Sequence, residues 1–266
     1  IYGMGKSAGN APIELVAMHM NDCLGKHYHI SQFLEAIDAN IMNFYTPATW
    51  GYNMFFYLAA SNDCHPNYVS YLMDKRTLSV KSINEILGRL QGEKKLLYDK
   101  DYIEQLYKEY QDIDIDDTKD IEALQKIFAG REVLLVGPGM NIEKQEDKIK
   151  DYCKEKKPVV VSVNFVAEQF GADYIFLSNA KRYVQLATAL SQKDHSYEVI
   201  ATSNVTKTNG KFDYTVKYGS LQDEKAEIID NSFIMLLKLM KRLKVEHVAL
   251  AGFDGYIGDK KQNYIN

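Results

Sequence analysis

Short runs that are apolar at nearly every position, separated by helical stretches, dominate the second half of this 266-residue chain. Such a run predicts a strand buried on both faces, as in a parallel sheet. The runs are residues 133–136, 159–163, 174–177, 198–201 and 247–251. The helical stretches between them lie near 141–155, 180–192 and 226–243. Because alternating strands and helices favour an α/β fold, we predict a Rossmann-like parallel sheet flanked by helices over residues 130–266.

The first half has a different pattern, because apolar residues recur there at helical spacing and no convincing strand follows the opening residues. The predicted helices are roughly 11–24, 30–43, 49–62, 66–74, 79–91 and 98–110. An acidic stretch then leads into a predicted helix at 118–128. We therefore divide the chain into an all-helical region at 1–110, an acidic linker and helix at 111–129, and the sheet domain at 130–266.

Composition narrows the class of protein. Hydrophobic residues make up 46% of the chain and charged residues 26%, which is typical of globular proteins. The net charge is −4, so the chain lacks the excess of basic residues that would predict binding to nucleic acid. No apolar run reaches the length of a membrane span. The cysteines are far apart and lack the spacing of a metal site, which indicates free thiols in a reducing compartment, and we expect a cytoplasmic protein. They are Cys23, Cys64 and Cys153.

A glycine-rich turn opens the chain. Gly3, Gly5 and Gly9 precede Asn10, and a predicted helix follows at once. Glycine permits positive φ and close backbone approach, and a helix N-terminus offers N–H groups to an anion, so Gly3, Gly5 and Asn10 are candidate ligand-binding residues. The alternative is a plain strand-to-helix turn. A parallel strand needs a neighbour, so we expect Ile1 to lie inside a longer protein.

Polar residues follow the predicted strands at their carboxyl ends, and an Asn precedes the last long helix. In an open parallel sheet these ends converge on one crevice, where ligands bind. The candidate ligand-binding residues there are Gly137, Pro138, Gly139, Asn164, Ser178, Asn179, Arg182, Asn231 and Asp254.

Each of these residue types has a chemical reason to contact a ligand. The Gly137–Gly139 turn and the helix after it favour a phosphate, as does Arg182, and Asn side chains both donate and accept hydrogen bonds. Asp254 is the candidate catalytic residue, which holds a hydroxyl group or acts as a base. The alternative is structural: Asn and Ser cap helices, and Asp254 belongs to a turn. The turn lacks the third Gly and the downstream acid of a dinucleotide site, which argues against NAD.

The string from Gly3 to Glu14 resembles the last βα loop of the metal-dependent aldolase barrels related to 4-hydroxy-2-oxovalerate aldolase and HMG-CoA lyase. That family has Gly-x-Gly-x-x-x-Gly-Asn-x-Pro-x-Glu at this place, and Thr49–Tyr52 and Asn62–Tyr68 resemble its helical extension. The resemblance implies that residues 1–110 are the last βα unit of a TIM barrel with this extension. It also implies a carbon–carbon lyase that uses Mg or Mn, with the metal ligands in the missing barrel and none in this chain, which alone would lack aldolase activity.

The second half is similar to bacterial sialyltransferase-like and pterin pyrophosphokinase-like Rossmann domains. The similarity lies in Gly137–Gly139, Ser178-Asn179, Asn231-Ser232 and Ala251–Tyr256. It implies that a nucleotide or nucleotide sugar binds at the strand ends, and that the domain continues beyond Asn266.

Together the two resemblances imply a bacterial aldolase fused to a nucleotide-sugar-binding domain, in the biosynthesis of a surface carbohydrate. One alternative is transferase activity in the sheet domain, and another is a non-catalytic module that docks on or regulates the barrel. The expected partners are a small-molecule substrate, the protein's own barrel domain and a second copy of the chain in a homo-oligomer, because the amphipathic helices would be partly exposed without the barrel.

Overall fold

The computed structural model describes residues 2–5, 10–45, 50–51, 53–191, 196–206, 212–223 and 229–254. The chain forms two compact units, which divide between Tyr107 and Lys108. None of the helices in these ranges combines the length and the apolar character that crossing a bilayer requires.

The first unit is built from helices, as predicted. They are α1 (Ile13–Leu24), α2 (Ile30–Ala36), α3 (Met54–Ser61), α4 (Pro66–Asp74), α5 (Val80–Leu87) and α6 (Lys100–Gln111), with α6 crossing the division. A π-helical turn and then a 3-10 turn extend α2, over Ile37–Ile41 and Met42–Phe44, and another 3-10 turn covers Gly92–Lys95.

Local signals in the sequence start and end these helices. Ser79 caps α5, where its Oγ accepts a hydrogen bond from Ser82 N at 3.1 Å. His65 caps α4 through Nδ1, which accepts from Asn67 N at 3.1 Å, and Gly25 ends α1 with a φ of 60°. The buried residues of the unit include Tyr68, Leu72, Ile86, Leu87 and Ile103.

The second unit contains a parallel sheet of six strands in the order β5-β4-β3-β2-β1-β6. The strands are β1 (Val133–Val136), β2 (Val159–Val163), β3 (Tyr174–Leu177), β4 (Glu198–Thr202), β5 (Tyr214–Val216) and β6 (Val248–Ala251). The helices are α7 (Thr118–Phe128), α8 (Asn141–Lys144), α9 (Glu146–Lys156), α10 (Ala180–Leu190), α11 (Ser203–Thr206) and α12 (Ser232–Arg242), and 3-10 turns lie at Glu168–Phe170 and Gly219–Leu221. The α/β fold with a parallel sheet is confirmed; β5 and α11 were not predicted.

Helices cover both faces of the sheet. Leu135, Val161 and Phe176 belong to one buried layer, together with residues of α7 and α12. The alternate strand residues, such as Leu134 and Ile175, belong to layers that include α9 and α10 on the other face. The residues of β1 to β4 therefore lie mostly in protein on both sides, which explains their apolar runs.

The strand order reverses between β1 and β6. The chain steps from β1 outward to β5, one neighbour at a time, and then returns to place β6 on the other side of β1. The connection that leaves β1 passes over one face of the sheet through α9, and the connection that reaches β6 passes over the other face through α12. Such a reversal is the topological switch point at which open α/β sheets form a crevice beyond the carboxyl ends of their strands.

Candidate functional site

At the switch point, the loops that follow β1 and β6 pack directly against each other. Gly137 N donates a hydrogen bond to Ala251 O at 2.8 Å, and Gly139 N donates to Gly252 O at 2.9 Å. A Cβ on Gly137 or on Gly139 would lie 2.5 Å from Gly252 O. Both positions need glycine because the opposite backbone occupies the space of a side chain. Pro138, between them, is half-buried.

Asp254 ends this contact with an exposed carboxylate. Its Oδ2 accepts a hydrogen bond from Asn141 N, the first residue of α8, at 2.7 Å. A Cβ on Gly139 would lie 2.6 Å from the same oxygen. The carboxylate therefore sits beside the Gly-Pro-Gly turn, where the sequence predicted a phosphate. A fixed negative charge at this place favours a hydroxyl donor or a cation over a second oxyanion.

Phe253 links the same loop to the other face of the sheet. Its ring stacks on Phe233 of α12, with ring centroids 4.0 Å apart and an interplanar angle of 29°. Both rings are half-buried and pack against the layer that contains α12. The loop after β6 thus joins the start of α8, through Asp254, to the start of α12, through Phe253.

Asn164, Ser178 and Ser232 form a hydrogen-bonded cluster that joins the ends of β2 and β3 to the start of α12. Ser232 Oγ accepts from Asn164 Nδ2 at 2.8 Å and from Ser178 Oγ at 2.7 Å. Asn164 Oδ1 accepts from Ser178 N at 3.3 Å. Asn164 has a φ of 58°, a left-handed conformation that Asn adopts more readily than most residues. Two of the predicted site residues are therefore brought together with Ser232.

The other two predicted Asn residues cap helices. Asn231 Oδ1 accepts from Phe233 N at 3.0 Å and from Ile234 N at 3.3 Å. Asn179 Oδ1 accepts from Arg182 N at 3.1 Å. Arg182 is exposed, and its Nη1 donates to the side chain of Gln185. Asn179 and Asn231 therefore cap helices, which was the alternative to ligand binding in the sequence analysis.

Beyond β4, the chain's own acidic segment covers the carboxyl edge. Asn204 Nδ2 donates to Ser178 O and to Gln111 Oε1, both at 3.3 Å, and Ser203 Oγ donates to Ile113 O at 3.3 Å. Gln111 is only 3% exposed. The sequence held no signal for this role of Gln111, which lies at the end of an ordinary amphipathic helix. The candidate site accordingly lies toward β2, β1 and β6.

The candidate residues of the first unit stabilise their own turn. Asn10 Nδ2 donates to Met4 O at 2.7 Å, and a Cβ on Gly5 would lie 2.2 Å from that nitrogen. Gly3 and Gly5 have φ values of 63° and 121°. The buried Glu14 accepts a hydrogen bond from Tyr2 N at 3.2 Å. Ile1, Gly9, Thr49 and Tyr52, and likewise Gly255 and Tyr256, lie outside the described residues.

Two further features bear on where a ligand binds. In the described part of the chain, no three or more His, Cys, Asp or Glu side chains are grouped so that they could hold a metal ion. An open depression of about 440 Å³ lies between the ends of α7 and α12. Its lining includes charged side chains such as Glu122, Lys126 and Lys244. It lies away from the carboxyl edge, so we do not assign the site to it.

Comparison of the chain with protein-family models, curated proteins and solved structures finds no match. The fold and the geometry at the switch point are therefore the basis for assigning a function.

Proposed function

We propose that the sheet unit binds a nucleotide or nucleotide sugar at the carboxyl edge of its sheet, beside β1 and β6. The observation that carries this proposal is the switch point with an exposed carboxylate fixed in it. Asp254 is held by Asn141 N, and it can accept hydrogen bonds from the hydroxyl groups of a ribose or sugar. An Mg²⁺ ion carried by the nucleotide is a second group that this carboxylate suits.

A wider proposal starts from the resemblance at the opening turn. We propose that the full-length protein is an aldolase-type carbon–carbon lyase and that the sheet unit handles an activated sugar, in the cytoplasm, for a surface carbohydrate. The contacts of Asn10 and Glu14 support this proposal, because these motif residues hold the turn in which they lie. Among the described residues, no group of three or more His, Cys, Asp or Glu side chains could hold the metal ion that such a lyase uses.

Thermal unfolding with a ligand panel tests the binding proposal. The panel contains UDP-N-acetylglucosamine, GDP-mannose, CMP-N-acetylneuraminate and their nucleoside monophosphates, each with and without Mg²⁺. A ligand at one hundred times its Kd stabilises the folded state by about 2.7 kcal/mol, so we expect a clear rise in the melting temperature for at least one member.

Matched variants locate the binding site. We expect Asp254→Asn to lower the affinity for the ligand about tenfold, since it removes a charged hydrogen-bond acceptor. Asp147→Asn, an exposed position on α9, is the control and should leave the affinity unchanged. A panel without any stabilising member contradicts the proposal. A catalytic role for Asp254 stays a prediction, which turnover of the bound nucleotide sugar by the two variants would test.

Docking is a second candidate function, favoured by the surface of α1. This helix exposes several apolar side chains, while its buried residues are Glu14 and Ala17. The exposed residues are Ile13, Leu15, Val16, Met18 and Leu24. An apolar surface of this kind is typical of an interface. Its test is the oligomeric state of the chain.

A further inference from the structure

Ser232 is placed to donate a hydrogen bond to a ligand. Its Oγ accepts from both Asn164 Nδ2 and Ser178 Oγ. A hydroxyl group also carries one proton to donate, and within the described ranges the Ser232 hydroxyl donates to no protein acceptor. Two accepted hydrogen bonds polarise the O–H bond and strengthen its donation to a third group. The cluster therefore presents a polarised donor at the start of α12.

An aromatic pair separates this donor from the carboxylate of Asp254. Ser232 precedes Phe233 in the chain, the Phe233 ring stacks on Phe253, and Phe253 precedes Asp254. Ser232 bonds to residues that follow β2 and β3, and Asp254 follows β6, which lies two strand positions from β2 and three from β3. Two to three strand spacings amount to about 10 to 14 Å, which is comparable to the length of a nucleoside or its monophosphate.

We propose that Ser232, the Phe233–Phe253 pair and Asp254 together form a nucleoside subsite. Asp254 accepts hydrogen bonds from ribose or sugar hydroxyls, the half-buried rings contact the apolar face of a ligand ring, and Ser232 donates to an acceptor oxygen of the ligand. Asn164 and Ser178 are positioning residues that act through Ser232. This inference rests on the proposed function and deepens it by fixing the orientation of the ligand.

The orientation follows from charge. The carboxylate lies at the Gly-Pro-Gly turn, so a ligand without a bridging Mg²⁺ ion places its phosphate away from that turn and its hydroxyl groups toward it. The acceptor oxygen at Ser232 belongs either to the base or to the phosphate. Comparison of a nucleotide with its nucleoside separates these two sources, because only the nucleotide retains a phosphate oxygen.

Isothermal titration calorimetry on the full chain tests the subsite. The probes are the tightest nucleotide sugar of the panel above, its nucleoside monophosphate and its nucleoside. We expect Ser232→Ala to lower the affinity for the nucleotide sugar about tenfold. Ser191→Ala, at the exposed end of α10, is the control and should bind like the wild type. An equal loss for nucleotide and nucleoside assigns the oxygen to the base, and a loss for the nucleotide alone assigns it to the phosphate.

Two further measurements separate ligand contact from a structural effect. Saturation-transfer difference NMR should show transfer to the ligand ring protons in the wild type and a reduced transfer in Phe253→Leu. Ser178→Ala should weaken binding about threefold, and Ser178→Thr, which keeps the hydroxyl, should restore it. Thermal melts of each variant without ligand report any loss of folding.

The outcomes distinguish this inference from the proposed function. If the wild type binds no member of the panel, both are wrong. If the wild type binds but Ser232→Ala and Phe253→Leu bind as tightly as Ser191→Ala, the subsite is wrong while the proposed function stands. Should Phe253→Leu fail to fold, the comparison of Ser232→Ala with Ser191→Ala decides the question alone.

Discussion

Gly139 shows how closely the two loops at the switch point approach each other. An added Cβ would lie 2.5 Å from Gly252 O and 2.6 Å from Asp254 Oδ2, so Gly139→Ala forces the loop after β6 away. We expect this variant to lower the free energy of unfolding by about 2 kcal/mol, in the range of overpacked sites. Urea denaturation measures the change.

Gly88→Ala is the matched control for this prediction. Gly88 ends α5 with a φ of −62°, and its added Cβ would meet only ordinary contacts at 3.5 Å or more. Alanine is tolerated there, and the free energy of unfolding should change by less than about 0.5 kcal/mol or rise. Equal stability of Gly139→Ala and the wild type would show that the loops do not pack as described.

Single residues differ in how far the sequence predicts their place. The sequence predicts the place of Asn164 and Asp254, because each follows an apolar run and the carboxyl ends of parallel strands lie at one edge of the sheet. The sequence does not predict the stack of Phe233 on Phe253, because the two residues meet only when α12 packs on the sheet, where it contacts β2. The hydrogen bonds of Ser232 likewise depend on the fold, because its partners Asn164 and Ser178 follow two different strands.

At the scale of elements, one carboxylate joins the start of α7 to β5 and α12. Asp117 accepts hydrogen bonds from Arg242 Nη1 and Nη2 at 2.8 and 2.9 Å, and from Lys217 N at 2.8 Å. Burial acts to raise the pKa of Asp117, but the hydrogen bonds from Arg242 and Lys217 outweigh it and lower the pKa below its ordinary value of 3.8.

This shift predicts how stability depends on pH. The pKa of Asp117 is lower in the folded state, so its contribution is present above the ordinary value of 3.8 and is lost as the pH falls through the folded value. Asp117→Asn should lower the free energy of unfolding by about 2 kcal/mol at neutral pH and by less in acid. Chemical denaturation over a pH series measures both.

An exposed ion pair provides the control for Asp117. Asp151 lies 3.3 Å from Lys154 on α9, and both side chains are largely exposed. Asp151→Asn should change stability by less than about 0.5 kcal/mol at any pH, since exposed pairs contribute little. If the two variants behaved alike, the link between α7, β5 and α12 would not stabilise the fold.

Elements of sufficient length were predictable, and short ones were not. The five predicted strands have four or five residues, all but one of them fully buried along most of their length. β6 is the exception, because it lies at an edge of the sheet and exposes Val248 and Leu250. β5 has three residues, Tyr214–Val216, which are too few to establish a period. Its place beside β4 depends on the sheet that already exists.

At the scale of the whole molecule, the strand order determines where the candidate site lies, and the local sequence pattern does not specify that order. Alternating strands and helices predict parallel pairing, but they allow β6 to lie at either end of the sheet. Its position beside β1 creates the switch point and brings Asp254 to the Gly-Pro-Gly turn. The sequence therefore predicts that a residue lies at a strand end, but only the folded structure shows which residue faces it across the crevice.

The exposed apolar surface of α1 predicts that the chain associates with a second copy. Ile13, Val16 and Leu24 lie at spacings that place them on one side of the helix, and they are 41%, 42% and 60% exposed. Burying apolar surface stabilises an assembly by about 25 cal/mol per Å² removed from water, so a continuous apolar stripe favours pairing. Sedimentation velocity over a wide concentration range should show a sedimentation coefficient that rises with protein concentration.

A charged substitution on this stripe decides whether α1 is responsible for that association. Val16→Glu should keep the chain monomeric to higher concentration, because pairing would then bury a carboxylate without a partner. Val184→Glu is the control: Val184 is 57% exposed on α10, a helix of the other unit, and its change should leave the association intact. If Val16→Glu associates like the wild type, the contact lies elsewhere on the chain. If the wild type stays monomeric throughout, the stripe on α1 does not bind a second copy, and the docking function loses its support from this helix.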